Sequence, residues 1–367
     1  MVRKRISQRG FTLLEVMVAL ALSALLLTGA MTMLSANQYT SAALTARARA
    51  QENLQLAFAL IEAASLRAGR LGCNHPQRPI LRFLRGAWTR IPEYDITKPV
   101  TGYDALGNAA FTPNPALTLP LSGDAGDLRV HHQGHGIDLQ RVAASADILV
   151  MRGTSAAAPL AAKNSGAETI AVAGHWVDFA PEDVILLSDC EQAALVKVTH
   201  ARKTQSGWEL GWAEGTGDFA NAKVGVAAVG RSSERLALLP RGFGADASVA
   251  TVSSTFFYLG PSLVHNRQGR AASSLWRKSG AAEAVEMIAG IDDMQVWYLV
   301  SDDLKADSRR GYFKAGQWPL EGHVIGIRVQ LRSSSVDGLA EAGLMPVSIT
   351  AVRTFMLPRF ARWGHSP

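Results

Sequence analysis

Several residues in this 367-residue chain have types and spacings that could do chemistry. Glu15 is a single carboxylate in the apolar run "GFTLLEVMVALALSALLLTGAMTMLSA" (Gly10–Ala36), and it is the only formal charge between Phe11 and Ala46. An ionised carboxylate in an apolar phase costs ~2.5 kcal/mol or more unless it is paired, so Glu15 calls for a partner, and a positive one. Ser155 lies in "RGTSAAAP" (Arg152–Pro159). A serine becomes a nucleophile only beside a base that is oriented by an acid. "GHGI" at Gly134 is a poor base block and no convincing aspartate block precedes it, so a strand "DILVMRG" followed by a small-residue turn explains this stretch better. His131, His132 and His135, with Asp138 nearby, are of types that suit zinc or copper. Adjacent histidines point apart in a strand, and the flanking glycines favour a pH-sensitive surface loop over a metal site. The pairs Asp292–Asp293 and Asp302–Asp303 could ligate calcium, but the D-x-D-x-D-G loop is absent, which leaves solvated turn acids. The expectation is a chain with no catalytic residues, no metal and no cofactor.

The elements that must position these residues begin with the N-terminal segment. The formal net charge is +6, but Arg3, Lys4, Arg5 and Arg9 stand in the first ten residues with no acid beside them; beyond them 33 basic residues face 31 acidic ones. A basic tail before an apolar run keeps the N-terminus cytoplasmic. No basic stripe with interleaved aromatics occurs elsewhere, so nucleic-acid binding is not expected. Phe11 to Leu34 spans roughly 36 Å as a helix at ~1.5 Å per residue, enough to cross a ~30 Å hydrocarbon core with some tilt. A secretory signal peptide has an apolar core of only ~7–15 residues and a small-residue cleavage site. Here the run is longer, and the helical pattern continues through "SAALTARARAQENLQLAFALIEAASLRAG". Leu54, Phe58 and Ile61, with Ala57 and Ala64, form a stripe at helical spacing that suits packing on a domain. Gly69 and Gly72 supply the stop. The spacing therefore predicts one helix over about 12–68, apolar all round in its first half and amphipathic in its second.

Beyond Cys73 the pattern becomes β. "ADILVMRG", "DVILLSDC", "ALVKVTHA" (194–201), "WELGWA", "TVSSTFFYLG", "MQVWYLVSDD", "HVIGIRVQLRSSS" and "VSITAVRTFMLP" are bounded by turn residues and read as strands. "RVQLRSSS" alternates, as an antiparallel strand with one wet face does. Lys98 to Asp127 holds four prolines and four glycines and reads as a long surface loop. Cys73 and Cys190 both follow the apolar segment, so the topology places them outside the cytoplasm, where an even count favours a disulfide between them. Closing a loop of 117 residues of separation, it would contribute on the order of 4–5 kcal/mol in the chain-entropy picture. Two separate buried thiols are the other reading.

The run from the basic leader through Gly10, Phe11 and Thr12-Leu13-Leu14-Glu15 resembles a type IV prepilin. In that class a membrane peptidase cuts after the glycine and the new N-terminal Phe is methylated. The resemblance places cleavage between Gly10 and Phe11, and sets Glu15 opposite the Phe11 amine of a neighbouring subunit during assembly. The rest is similar to the PilW family of minor pilins, through "ARAQENLQLAFALIEAASLRAGRLGC", "TGYDALGN", "ADILVMRG", "LLSDC" and "EMIAGIDDMQVWYLVSDD" in order. Ala64, Ser65 and Leu66 stand where that family usually has an acidic residue, and the stretch around His131 is atypical. The resemblance implies an α+β, pilin-like fold, with a long N-terminal helix packed on an antiparallel β-rich head. It divides the chain into a cleaved leader (1–10), a transmembrane or filament-core helix (11–34), its amphipathic continuation (35–68) and a periplasmic head (69–367). It further implies a structural role in a tip or priming complex that starts pilus assembly, for adhesion or twitching motility. The implied partners are other minor and major pilins, a PilY-type tip adhesin, the prepilin peptidase and the inner-membrane assembly platform. The J-type pseudopilin of type II secretion is the alternative. "RGTSAAAP" also resembles the nucleophile block of subtilisin-like proteases, which would make a membrane-anchored exported hydrolase with Ser155 as nucleophile.

Overall fold

The computed structural model describes residues 12–357 apart from 73–79, 86–93, 97, 108–109, 114–124, 133–134, 162–168, 190–191, 217–219, 223–225, 229–234, 238–245, 266–270, 281, 303–309, 319–321 and 336–346. Its first element is a single α-helix, Leu13–Ser65, of 53 residues. At ~1.5 Å per residue it is about 80 Å long. Good helix formers and the absence of proline keep it continuous. It stops three residues earlier than the glycine signal predicts. Leu66 is the C-cap, and Leu66–Ala68 form a turn whose exit is made by Gly69 at φ +73. That left-handed conformation is one glycine adopts at little cost.

The β-rich remainder is mainly antiparallel, as expected, and the alternating "RVQLRSSS" is indeed half-wet. A ten-stranded sheet is organised around Ser248–His265, an 18-residue strand that serves two sets of neighbours. Its first part pairs with Val184–Ser188 and Ala158–Pro159; its later part pairs with Ile148–Thr154 and Ala271–Ser279. One pair in this sheet is parallel, Ile80–Arg82 with Ala193–Lys197, at one end of it. A four-stranded sheet runs in the order Arg310–Phe313, Ile291–Ser301, His323–Ser334, Ser348–Met356. Its buried face, with Val296, Ile327, Val329, Leu331 and Phe355, shares one core with Leu54, Phe58 and Ile61 of the helix and with Leu149 and Phe257 of the large sheet. The helix is thereby wedged into the head.

Three expectations about the head are corrected. "TGYDALG" in the expected Lys98–Asp127 loop is a strand, Val100–Gly107, paired antiparallel with Ile148–Thr154 in the large sheet, Tyr103 opposite Ile148. Its alternating burial was masked in the sequence by the prolines around it. "ALVKVTHA" is two strands, Ala193–Lys197 and His200–Lys203, which belong to different sheets. The break falls where Val198 turns into a second core beside Leu210 and Trp212. The histidine stretch is a β-hairpin rather than a loop: Ala125–His132 pairs with His135–Ala143, with His132 opposite His135.

Candidate functional site: the exposed helix and its junction with the head

The helix starts with a local solution to its own charge. Thr12, extended at φ −78 and ψ 150, is the N-cap. Its hydroxyl accepts from the Glu15 N–H at 3.3 Å, and its own N–H and hydroxyl both donate to Glu15 Oε2 at 3.1 Å. This is a capping box: two of the unpaired donors at the helix start are satisfied, and the carboxylate sits where the helix dipole favours it. The sequence reasoning asked for a positive partner and overlooked this one, although T-x-x-E before an apolar run is the signature of such a box. Gly10 and Phe11 lie outside the described residues.

The next turns expose their apolar side chains on every side. Leu13 is 80% exposed, Leu25 73% and Leu34 60%, and none of the most apolar window of the helix is buried. A continuous apolar surface of this extent is not stable in water; it belongs in lipid or against other helices. Its polar groups are prepared for that phase. The hydroxyls of Ser23, Thr28, Thr32, Thr40 and Thr45 each donate to a carbonyl three or four residues back. The backbone and these five hydroxyls are thus satisfied within the helix itself. By length and composition the helix can cross a membrane.

From Ala50 onward one face is buried. Leu54, Ala57, Phe58 and Ile61 are all at most 3% exposed, as the stripe predicts. The Phe58 ring lies 6.3 Å from that of Phe355, and the Arg353 guanidinium stands 5.0 Å over it. Asn53 Nδ2 donates to the Ala289 carbonyl at 2.9 Å and ties the helix to the strand Val285–Ala289. Past the helix, the Gly69 N–H donates to the Arg152 carbonyl at 2.8 Å. A Cβ at Gly153 would come within 2.2 Å of the Arg67 carbonyl oxygen, so the chain can pass here only over a glycine.

A polar staple that sequence reasoning missed fixes the two large sheets together. Asp147, 2% exposed, accepts from the Ala105 N–H at 2.9 Å, the Val296 N–H at 2.7 Å and Lys314 Nζ at 2.8 Å. Lys314 Nζ also reaches Asp104 and the Gln295 amide oxygen at 2.8 Å and lies 4.8 Å over the Trp297 ring. Burial works to lower the Lys314 pKa, but the two carboxylates outweigh it and hold the ammonium above its usual value. Burial, with Asp147 and Asp104 nearby, pushes the Tyr298 phenol well up. Asp104, Asp147 and Gln295 fall in the blocks "TGYDALGN", "ADILVMRG" and "EMIAGIDDMQVWYLVSDD". The available signal was therefore the co-occurrence of those blocks, not any spacing within one of them.

The other residues singled out are dispersed. The Ser155 hydroxyl pairs with Thr251 Oγ1 at 2.8 Å and accepts from the Thr251 N–H at 3.0 Å. Those bonds continue a strand pairing, and no histidine or carboxylate partners it among the described residues. Asp292 and Asp293 are not turn acids: they lie half-buried in Ile291–Ser301, beside a register shift, and Asp293 accepts from Gln295 Nε2 at 3.0 Å. Asp302 is exposed at the end of that strand, and Asp303 lies outside the described residues. The histidines and Asp138 are placed by backbone alone, on the hairpin Ala125–Ala143. Cys73 and Cys190 lie outside the described residues.

Residues 5–31 match the prokaryotic N-terminal methylation motif, and this match spans Gly10, Phe11 and Glu15. No curated protein and no solved structure gives a significant match to the chain. Basic leader, capped carboxylate and exposed apolar helix thus coincide with a type IV pilin-like prepilin signal, which fits a structural rather than an enzymatic role.

Proposed function

We propose that this chain is a structural minor pilin of the PilW type, which enters a tip or priming complex to start assembly of a type IV pilus and can present a PilY-type adhesin there. The observation that carries this reading is a single helix with an unburied apolar half, headed by a capped carboxylate and continued by a half docked in a β-rich head. In the proposal the prepilin peptidase cuts between Gly10 and Phe11, and Phe11 is methylated. The helix is held first by the inner membrane, with the head in the periplasm, and later by sister helices in the filament. Its partners are minor and major pilins and the inner-membrane assembly platform. Glu15 then exchanges its Thr12 donors, wholly or in part, for the Phe11 amine of a neighbour. A Cys73–Cys190 disulfide belongs to the same reading. What supports it is the contact of flanking residues: Ser188 Oγ donates to the Leu71 carbonyl at 3.1 Å, and a Cβ at Gly72 would stand 2.9 Å from that hydroxyl. A J-type pseudopilin shares every one of these features, and co-purifying partners separate the two.

The test distinguishes charge from cap. Glutamine at the third helical position preserves a capping box, so Glu15→Gln keeps the helix start but removes the charge. Thr12→Ala removes the box but keeps the charge. Pilus incorporation, read by shearing and immunoblotting, should fail in Glu15→Gln and largely persist in Thr12→Ala. Normal incorporation of Glu15→Gln would refute the charge-pairing role.

A further inference from the structure

The four-stranded sheet ends in Ser348–Met356, a strand of 9 residues that pairs with His323–Ser334 and, among the described residues, with no other strand. Two bonds fix which way its backbone points. At one end the Leu357 N–H donates to the Ile325 carbonyl at 2.9 Å; at the other the Ser335 N–H donates to the Val347 carbonyl at 3.1 Å. Between them the register runs from Met356 opposite Gly326 to Ser348 opposite Ser334 without a shift. Hydrogen bonding alternates along an antiparallel strand, so Ser348, Thr350, Val352, Thr354 and Met356 turn their N–H and C=O groups to the open edge. All of these residues are exposed, Val352 at 51% and Met356 at 45%. Edges are ordinarily blunted by charge, proline, a bulge or shortness. His200–Lys203, at the edge of the three-stranded sheet, has 4 residues and includes Arg202 and Lys203. Arg310–Phe313, the opposite edge of the same four-stranded sheet, also has 4. Ser348–Met356 is longer and has no proline and no bulge, and its single charged residue, Arg353, lies on the helix face, 5.0 Å over the Phe58 ring.

We infer that this edge receives one extended strand of a different polypeptide, which lengthens the four-stranded sheet by a strand. A row of alternating donors and acceptors is matched along its whole length only by another extended backbone, at about 4.8 Å. On the helix face the incoming side chains adjoin Ile349, Ala351 and Arg353. Ile349 and Ala351 pack partly buried against the core, which calls for apolar side chains beside them. Arg353 makes no ion pair among the described residues, which calls for an acidic one. A second copy of this chain is the poorer occupant. Two copies joined through antiparallel edges are related by a two-fold axis perpendicular to the sheet. The helix lies on that sheet, with Phe58 and Ile61 in one core with Val329 and Phe355, so the axis would reverse it. The two apolar halves would then point in opposite directions, out of any common membrane. That comparison rests on the membrane reading of the helix proposed above.

The test replaces Thr350, Val352 and Thr354 in turn by photoreactive p-benzoylphenylalanine in the full chain, in the cells that export it, with Leu25 on the exposed helix as the reference position. After irradiation the linked residues are mapped by mass spectrometry. The expected result is that all three edge positions link to one segment of a different polypeptide, the linked residue moving by about two for each two-residue step here. Val352→Pro deletes one outward N–H and no bond to His323–Ser334, a change that edge strands accept. Val352→Lys sets a charge at the edge and leaves the backbone alone. Either variant should cut the Thr350 and Thr354 links about fivefold or more, since both are devices that block edge pairing. The Leu25 link should persist, and the thermal unfolding midpoint of the purified variants in detergent should stay within a few degrees. Links without the two-residue step, links to a second copy or to residues 358–367 of the same chain, or no edge link while Leu25 cross-links, overturn the proposal. Edge links that keep the step while Leu25 yields none would support the added strand and refute the reading of the helix.

Discussion

Replacing Lys314 with methionine tests the staple that joins the two large sheets. Lys314 Nζ is the shared partner of Asp147 and Asp104, each at 2.8 Å, and these side chains are 2% and 12% exposed. Methionine fills much of the same volume but leaves two carboxylates facing each other with the cation gone. Removing one partner of a buried pair costs about 3–5 kcal/mol, because the remaining charge is left uncompensated. Asp147 keeps its Ala105 and Val296 N–H donors, which argues for the lower end of that range. Chemical denaturation of the full chain in detergent, followed by near-ultraviolet circular dichroism, reads the loss. The pH profile adds a sign. Burial pushes the Asp147 carboxyl up, so in the variant it takes up a proton early and the loss shrinks as pH falls toward the carboxylate range. In the unsubstituted protein the raised Lys314 pKa means its stabilisation is complete below the ordinary lysine value and is lost as pH rises through the folded one. Adding Asp147→Asn to Lys314→Met should return part of the loss at neutral pH. A loss below about 1 kcal/mol, or one that does not change with pH, would refute the staple as an ionic joint.

The remaining expectations concern the helix junction, the acid limb and the cysteines. Phe58→Ala, at 1% exposure, should cost about 3–5 kcal/mol in the same denaturation assay, with the helix still formed by far-ultraviolet dichroism. Glu286 works against its own burial: hydrogen bonds from Ser262, Ser274 and the Leu263 N–H, together with Arg141, hold its carboxyl below the usual glutamate range. Its contribution is therefore present above that range and lost as pH falls through the folded value, and Glu286→Gln should flatten the acid limb of the stability profile. Reduction of the native protein should release two thiols and lower stability by on the order of 4–5 kcal/mol if Cys73 and Cys190 are joined; mass spectrometry under non-reducing conditions reads the link directly.

Where one element sufficed, the sequence was legible. The helix and its buried stripe follow from periodicity, since Leu54, Phe58 and Ile61 recur at the spacing of one face. Strands with continuous apolar runs, such as Ile148–Thr154 and Val184–Ser188, were legible because both faces are buried. Strands that sit among prolines or carry small polar residues were not. Val100–Gly107 lies among prolines and glycines that signal a loop, and Ala271–Ser279, with its run "AASS", gives no alternating signal although Leu275 and Trp276 are buried. The staple is not legible for a different reason: Asp147 and Lys314 are 167 positions apart, Asp104 is farther still from Lys314, and they meet only through sheet topology. The Thr12–Glu15 box is legible in the sequence as T-x-x-E at the head of an apolar run.

The most direct measurement of the central claim is mass spectrometry of the mature N-terminus of the protein isolated from membranes. The expected result is a chain beginning with N-methylated Phe11, four residues before Glu15. A chain that retains residues 1–10, or begins at a site within the apolar run, would contradict the transferable helix proposed here.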